Sequence, residues 1–280
     1  MTSWPRSVPL PDDFLPPETP EVPATPKDAA TVMLVRDAAA HGGGQGIEVF
    51  LQRRVAGMPF AGGMTVFPGG GLDQRDIDSA VSAVAWHGPD AAAWADWFGC
   101  ETSLARGLVC AAVRETFEES GVLLAGDADG AIVADSTPYH DAREALISRE
   151  LSLAAFLDDA GLVLRADLLR PWASWVTPAQ EPRRYDARFF LAALPEGQRA
   201  DDATSETESS AWHRPADALA EADAGQRPMM PPTRVTLAEL AEYDTVASAL
   251  AARREIPRIE PTIVRDSDGV RVEFSPPRGE

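Results

Sequence analysis

Residues 114–122 read R-E-T-F-E-E-S-G-V, and this run constrains the chain more than any other. Glu115, Glu118 and Glu119 stand at i, i+3 and i+4, so a helix projects all three carboxylates from one face. Like charges at that spacing repel. Such a face is either solvated or neutralised by something positive, and a hard divalent cation is the simplest partner of that kind. Val109, Val113 and Phe117 recur every four residues on the other side and form the stripe that seats the helix on a core. Gly121 is the expected stop, because glycine ends helices without a Cβ penalty.

Upstream, residues 66–71 read V-F-P-G-G-G, an apolar strand running into a turn where backbone can approach a ligand closely. Together the two pieces resemble the signature of the Nudix hydrolases, G-x5-E-x7-R-E-U-x-E-E-x-G-U, with U aliphatic or aromatic. From Arg114 onward the match is complete except that the first U is Thr116. The upstream half departs. Gly70 and Arg114 are 44 apart where the signature has fourteen, leaving 30 extra residues, and Arg106 holds the place of the first glutamate. That carboxylate is either supplied from elsewhere, with Asp73, Asp76 and Glu101 as candidates, or dispensed with. An insertion at this place resembles the branch that includes the animal peroxisomal coenzyme A diphosphatases. Residues 58–70 (M-P-F-A-G-G-M-T-V-F-P-G-G), 175–178 (W-V-T-P), 183–190 (R-R-Y-D-A-R-F-F) and 231–233 (P-P-T) also resemble that branch, so the likeness spans roughly residues 30–250.

The resemblance implies an α/β fold, a Nudix α/β/α sandwich with a mixed sheet and a helical insertion between the glycine loop and the catalytic helix. It implies a hydrolase that uses Mg2+ or Mn2+ to cleave the diphosphate linkage of a nucleoside diphosphate derivative. By branch, that substrate is coenzyme A or acyl-coenzyme A. Other diphosphate substrates (dinucleotides, ADP-ribose, nucleotide sugars, an RNA cap) and a non-catalytic nucleotide-binding regulator stay open. The implied metal ligands are Glu115, Glu118, Glu119 and the Gly70 carbonyl, with Arg114 bracing the acidic residues by hydrogen bonds. The general base lies between Glu115 and the acids of residues 204–212 (T-S-E-T-E-S-S-A-W), Glu206 and Glu208. Arg53, Arg183, Arg184 and Arg188 are the candidate substrate-binding cations. The four histidines show no metal-ligand spacing.

Composition limits the alternatives. A net charge of −19, from 44 acidic and 25 basic residues, disfavours broad nucleic-acid binding, while a small polyphosphate needs just a cation and a few local arginines. No run approaches the ~18 uncharged apolar residues of a membrane span, and the expected compartment is the cytoplasm. Cys100 and Cys110 are too few for a disulfide framework, and Cys110 reads as a small core residue.

Three regions are expected: residues 1–27 as an extended proline-rich arm, suited to draping over a partner in a homodimer; 28–255 as the hydrolase domain, with its insertion at about 73–102; and 256–280 as a hairpin and tail. Strands are expected at residues 30–36, 47–54, 64–67, 162–169, 174–176 and 188–193, with another opening at 122–124 and a short one at Trp212. The insertion's Trp94, Trp97 and Phe98 share a helical face, for packing or for a substrate lid. Residues 236–253 read as one C-terminal helix.

Overall fold

The computed structural model describes residues 7–10, 20–58, 60–77, 84–204, 206–267 and 269–274. Along the chain these form β1 (Ser7–Pro9), β2 (Lys27–Asp37), β3 (Ile47–Arg54), β4 (Thr65–Val66), β5 (Gly69–Gly71), α1 (Gln74–Ile77), β6 (Trp86–His87), α2 (Ala91–Phe98) and the long α3 (Thr102–Ser120). Then come β7 (Ala125–Gly126), α4 (His140–Ile147), α5 (Leu153–Asp159), β8 (Val163–Arg165), β9 (Leu169–Val176), β10 (Tyr185–Ala193) and β11 (Thr207–His213). The chain continues through α6 (Pro215–Asp223), α7 (Pro231–Leu240), α8 (Val246–Leu250), β12 (Arg258–Ile259), β13 (Thr262–Asp266) and β14 (Gly269–Glu273).

An eight-stranded mixed sheet runs β11-β3-β2-β10-β9-β12, with β4 paired to β3 and β5 to β2. Its central strands are apolar on both faces, which suits a sheet covered twice. Ala30, Val32, Leu34, Phe190 and Ala192 pack in one core with residues of α2, α3 and α5, while Met33, Val35, Phe189 and Leu191 pack in a second with α7 and α8. Alternation with period two thus sends neighbouring residues of β2 and β10 into opposite cores and makes an α/β/α sandwich. Among the described residues no helix is long and apolar enough to cross a membrane.

β2 has eleven residues; one edge pairs with β10, and the other serves two partners, β3 at residues 35–37 and β5 at residues 29–31. The glycine strand therefore lies in the sheet beside the first half of β2. Between β5 and α3, Trp94 and Phe98 of α2 pack on Phe190 with ring centroids 5.4 and 5.1 Å away, whereas Trp97 is 40% exposed. Packing, not a lid, is what Trp94 and Phe98 display.

Four local expectations are corrected. Residues 122–124 are buried coil because the Gln198 side chain, not a neighbouring strand, pairs with the backbone of Leu123. Residues 236–253 do not make one helix: α7 ends at Leu240, and Thr245 starts α8 afresh through a reciprocal capping box with Ser248. β11 begins at Thr207, so Glu208 is on a strand. Ser7–Pro9 of the arm pairs with β14 of its own chain and buries Val8 in the second core, so this part of the arm is not without a core. Arm residues 1–6 and 11–19, insertion residues 78–83 and tail residues 275–280 lie outside the described ones.

Candidate active site

From Ala105 to Ser120 every residue of α3 except Arg106 and Glu118 is buried, so the helix runs through the protein and not along its surface. Val109, Val113 and Phe117 face the core as their spacing requires. Gly121 closes the helix in the left-handed conformation at φ 71°. Burial pushes the Cys110 thiol up to about 12, which leaves it an inert core group.

The acidic face of α3 lies against the glycine strand. The Gly69 N–H donates to Glu119 Oε2 at 2.9 Å, and a Cβ at Gly70 would sit 2.5 Å from Glu115 Oε1. A larger residue at that position would have to push the Glu115 carboxylate aside. From β3, Gln52 Nε2 donates to the Glu119 carbonyl oxygen at 2.9 Å and latches the sheet to the same turn.

Arg114 is the positive group between the carboxylates. Its Nη1 donates to Glu115 Oε1 at 2.7 Å and Glu118 Oε2 at 3.2 Å, and its Nη2 reaches the Gly71 carbonyl at 3.2 Å. Its other edge, Nε and Nη2, holds Asp76 of α1 at 3.0 and 2.7 Å. Burial alone would lower the Arg114 pKa, but the Asp76 hydrogen bonds and the Glu115 and Glu118 charges outweigh it and hold the group above its ordinary value. Of the three sequence candidates for the displaced carboxylate, Asp76 alone hydrogen-bonds Arg114. Asp73 is engaged by Arg75, whose hydrogen bond holds it down to about 2, and Glu101 is an exposed residue at the N-cap of α3.

Among the described residues, no three histidine, cysteine, aspartate or glutamate side chains stand in a ready-made cluster for a metal ion. Arg114 instead bridges Glu115 and Glu118 through Nη1. The donor set nevertheless fits a hard divalent cation. It consists of oxygens, Glu118 Oε1 is buried with no hydrogen-bond partner, and the glycine strand leaves no side chain in the way.

Burial pushes Glu119 up to about 8, reinforced by the Glu115 charge and opposed by the Gly69 N–H, and lifts Glu115 to about 7 against the pull of Arg114. Glu118 is raised by burial as well. A folded-state pKa above the unfolded value contributes stability that is fully present below about 4.5 and is lost as pH rises through the folded value. Glu119→Gln, which mimics the protonated acid, should therefore match wild type at pH 4 and gain relative stability by pH 8.5. Urea midpoints of metal-free protein measure this, and a difference that does not change with pH would contradict it.

The structure brings Gly70, Arg114, Glu115, Glu118 and Glu119 together. Glu206 joins them from the turn just before β11, where its charge acts on Glu119 and its carboxylate pairs with Arg54 at 3.1 Å. Glu208 instead pairs with Arg53 at 3.4 Å, with both side chains largely exposed. Arg54 was not among the candidate substrate cations, yet strand parity could have found it: Phe50, Gln52 and Arg54 share the α3 side of β3, whereas Arg53 points away. Arg183 is exposed. Arg184 and Arg188 are corrections to the candidate substrate set. Arg184 donates to the Ala24 and Thr177 carbonyls at 2.8 and 3.0 Å and pairs with Glu260, and Arg188, 3% exposed, pairs with Asp186, which also takes Arg258 at 2.8 Å. Buried guanidinium groups need such partners: Arg184 fastens three chain segments, whereas Arg188 reaches Asp186 on its own strand and keeps a buried Nε without a hydrogen-bond partner.

Residues 103–240 match the family model described as the NUDT19 Nudix domain. The chain is 34% identical over 132 residues to a putative nudix hydrolase 7 of Caenorhabditis elegans, covering 47% of this chain and 43% of that protein. It is 25% identical over 231 residues to the acyl-coenzyme A diphosphatase NUDT19 of Xenopus laevis, covering 70% of this chain and 60% of that protein. It thus spans about half the length of the curated relatives it matches. The crystal structure of a NUDIX hydrolase from Alicyclobacillus acidocaldarius superposes with a TM-score of 0.71 at 29% identity, over 84% of this chain and 99% of that one.

Proposed function

We infer the activity from kinship and geometry together: the chain belongs to the Nudix hydrolase superfamily, in its coenzyme A diphosphatase-like branch. We propose that it is a pyrophosphohydrolase that uses Mg2+ or Mn2+ to cleave the diphosphate linkage of a nucleoside diphosphate derivative. The substrate is coenzyme A or acyl-coenzyme A, and the products are 3′,5′-ADP and (acyl-)4′-phosphopantetheine. One observation carries the reading: three carboxylates on one face of α3, packed on a glycine strand, with a buried Glu118 oxygen that has no donor.

Glu115, Glu118, Glu119 and the Gly70 backbone would hold the cation, which when bound neutralises diphosphate charge and lowers the pKa of water. Arg114 aligns Glu115 and Glu118 from one side. Glu206 is preferred over Glu208 as the base that takes the proton of the attacking water, because Arg54 holds it beside the helix face while Glu208 is drawn to Arg53.

Arg53 and Arg183, exposed and not committed to the core, are assigned to the substrate phosphates. A charge-assisted contact to phosphate contributes about 1.5–3 kcal/mol, so replacing the arginine that reads the 3′-phosphate by alanine should raise KM for coenzyme A by roughly 10-fold or more. The same change should leave 3′-dephospho-coenzyme A nearly unaffected. Equal hydrolysis of the two compounds by wild type and by both variants would remove the coenzyme A reading and leave a diphosphatase for another substrate.

A further inference from the structure

We propose that Asp76, carried by α1 in the segment between the glycine strand and α3, is a positioning residue that aims Arg114 and thereby sets the affinity of the glutamate face for a divalent cation. The inference rests on reading that face as a cation site.

Asp76 is 2% exposed and fully engaged: Oδ1 accepts from Arg114 Nε at 3.0 Å, while Oδ2 accepts from Arg114 Nη2 at 2.7 Å and from the Asp73 N–H at 2.9 Å. A guanidinium is a rigid planar fork, so fixing one edge fixes where the other points. With Nε and Nη2 anchored on Asp76, Nη1 is the nitrogen left to face Glu115 and Glu118. A neutral residue at position 76 would release that edge. The guanidinium could then settle more closely on the two glutamates and compete with a cation for their oxygens.

The segment is built to deliver this carboxylate. Gly107 of α3 allows α1 to come close, since a Cβ there would lie 3.2 Å from Leu72 Cδ1 and 3.4 Å from the Asp76 carbonyl oxygen. Position 106 has another task. Arg106 Nη2 donates to the Val84 carbonyl at 2.8 Å, and the guanidinium lies over the Trp86 ring at 4.8 Å, holding the inserted segment to α3. Residue 106 also lies two turns, about 12 Å, up the same unbroken helix from Arg114, too far along the axis for a short acid to brace it. The inserted segment therefore has a second consequence besides the packing of Trp94 and Phe98: it completes the hydrogen-bond network behind the acidic face.

The test is Mn2+ titration of the full chain, following the resonance signal of the free ion, in wild type, Asp76→Asn, Asp76→Glu and Glu101→Gln. Partners that orient a ligand set typically change metal affinity 10–100-fold, so Asp76→Asn should bind Mn2+ at least ~10-fold more weakly. Asp76→Glu, which restores the charge, should stay within about 3-fold of wild type, and Glu101→Gln should match it. Wild-type affinity in folded Asp76→Asn would overturn the proposal while leaving the cation site standing. If Asp76→Asn does not fold, Asp76→Glu decides alone, and a loss of ~10-fold or more in that folded variant overturns it. A wild-type chain that binds no Mn2+ would remove the functional reading and this inference with it.

Discussion

Glu118→Gln and Glu119→Gln should each lower kcat by ~100-fold or more while the fold stays intact. Glutamine keeps the length and shape of the side chain and removes one negative charge from the face that would bind the cation. At about 1.4 kcal/mol per factor of ten, a 100-fold loss requires only about 3 kcal/mol of transition-state stabilisation, a modest demand on a metal-binding carboxylate. The amide oxygen at position 119 can still accept the Gly69 N–H, so the packing of the glycine strand against α3 survives. At position 118 the buried Oε1 has no protein donor to lose, and the amide oxygen can still accept from Arg114 Nη1 at the other position, so a fall in activity there reports the missing charge. Unchanged turnover in both folded variants would rule out this face as the site.

Arg114→Met should cost about 3–5 kcal/mol of stability at pH 8, the usual consequence of removing one partner from a buried ionic network. The guanidinium touches Asp76, Glu115 and Glu118, and Asp76 is 2% exposed, so the substitution leaves buried carboxylates with no cation beside them. Methionine replaces much of the lost volume, so the effect is that of the lost ion pairs and hydrogen bonds. The loss should shrink toward pH 5, where the orphaned carboxylates take up protons instead of staying charged. Urea unfolding at the two pH values checks this. A wild-type midpoint at pH 8 would mean the network adds nothing to the fold.

The face of α3 was legible because a helix is a local object: the spacing of Glu115, Glu118 and Glu119 fixes their side, and Val109, Val113 and Phe117 fix the opposite one. The two-faced apolar character of β2 and β10 was equally local. What could not be read was which partner each charge finds in space. The motif itself contained the positive group, Arg114, but nothing in the sequence says that α1 returns Asp76 to it across 38 residues. Arg184 and Arg188 lie in a motif-like string, yet burial gives them to Glu260, the Ala24 carbonyl and Asp186. Arg53 and Arg54 differ by one step of strand alternation, and the register with β11 brings Arg54, not Arg53, to Glu206. The break between α7 and α8 was readable in principle, since Thr245 and Ser248 carry a capping pattern inside the run taken as one helix.

The most direct test of the central claim is to incubate the purified chain with coenzyme A, acyl-coenzyme A and a panel of other nucleoside diphosphate derivatives, with Mn2+ or Mg2+ and with chelator, and to identify the products by mass. The expected products from the coenzyme A compounds are 3′,5′-ADP and (acyl-)4′-phosphopantetheine, formed with the cation and abolished by the chelator or by Glu118→Gln. Every diphosphate recovered intact in the presence of the cation, from a folded protein, would contradict it.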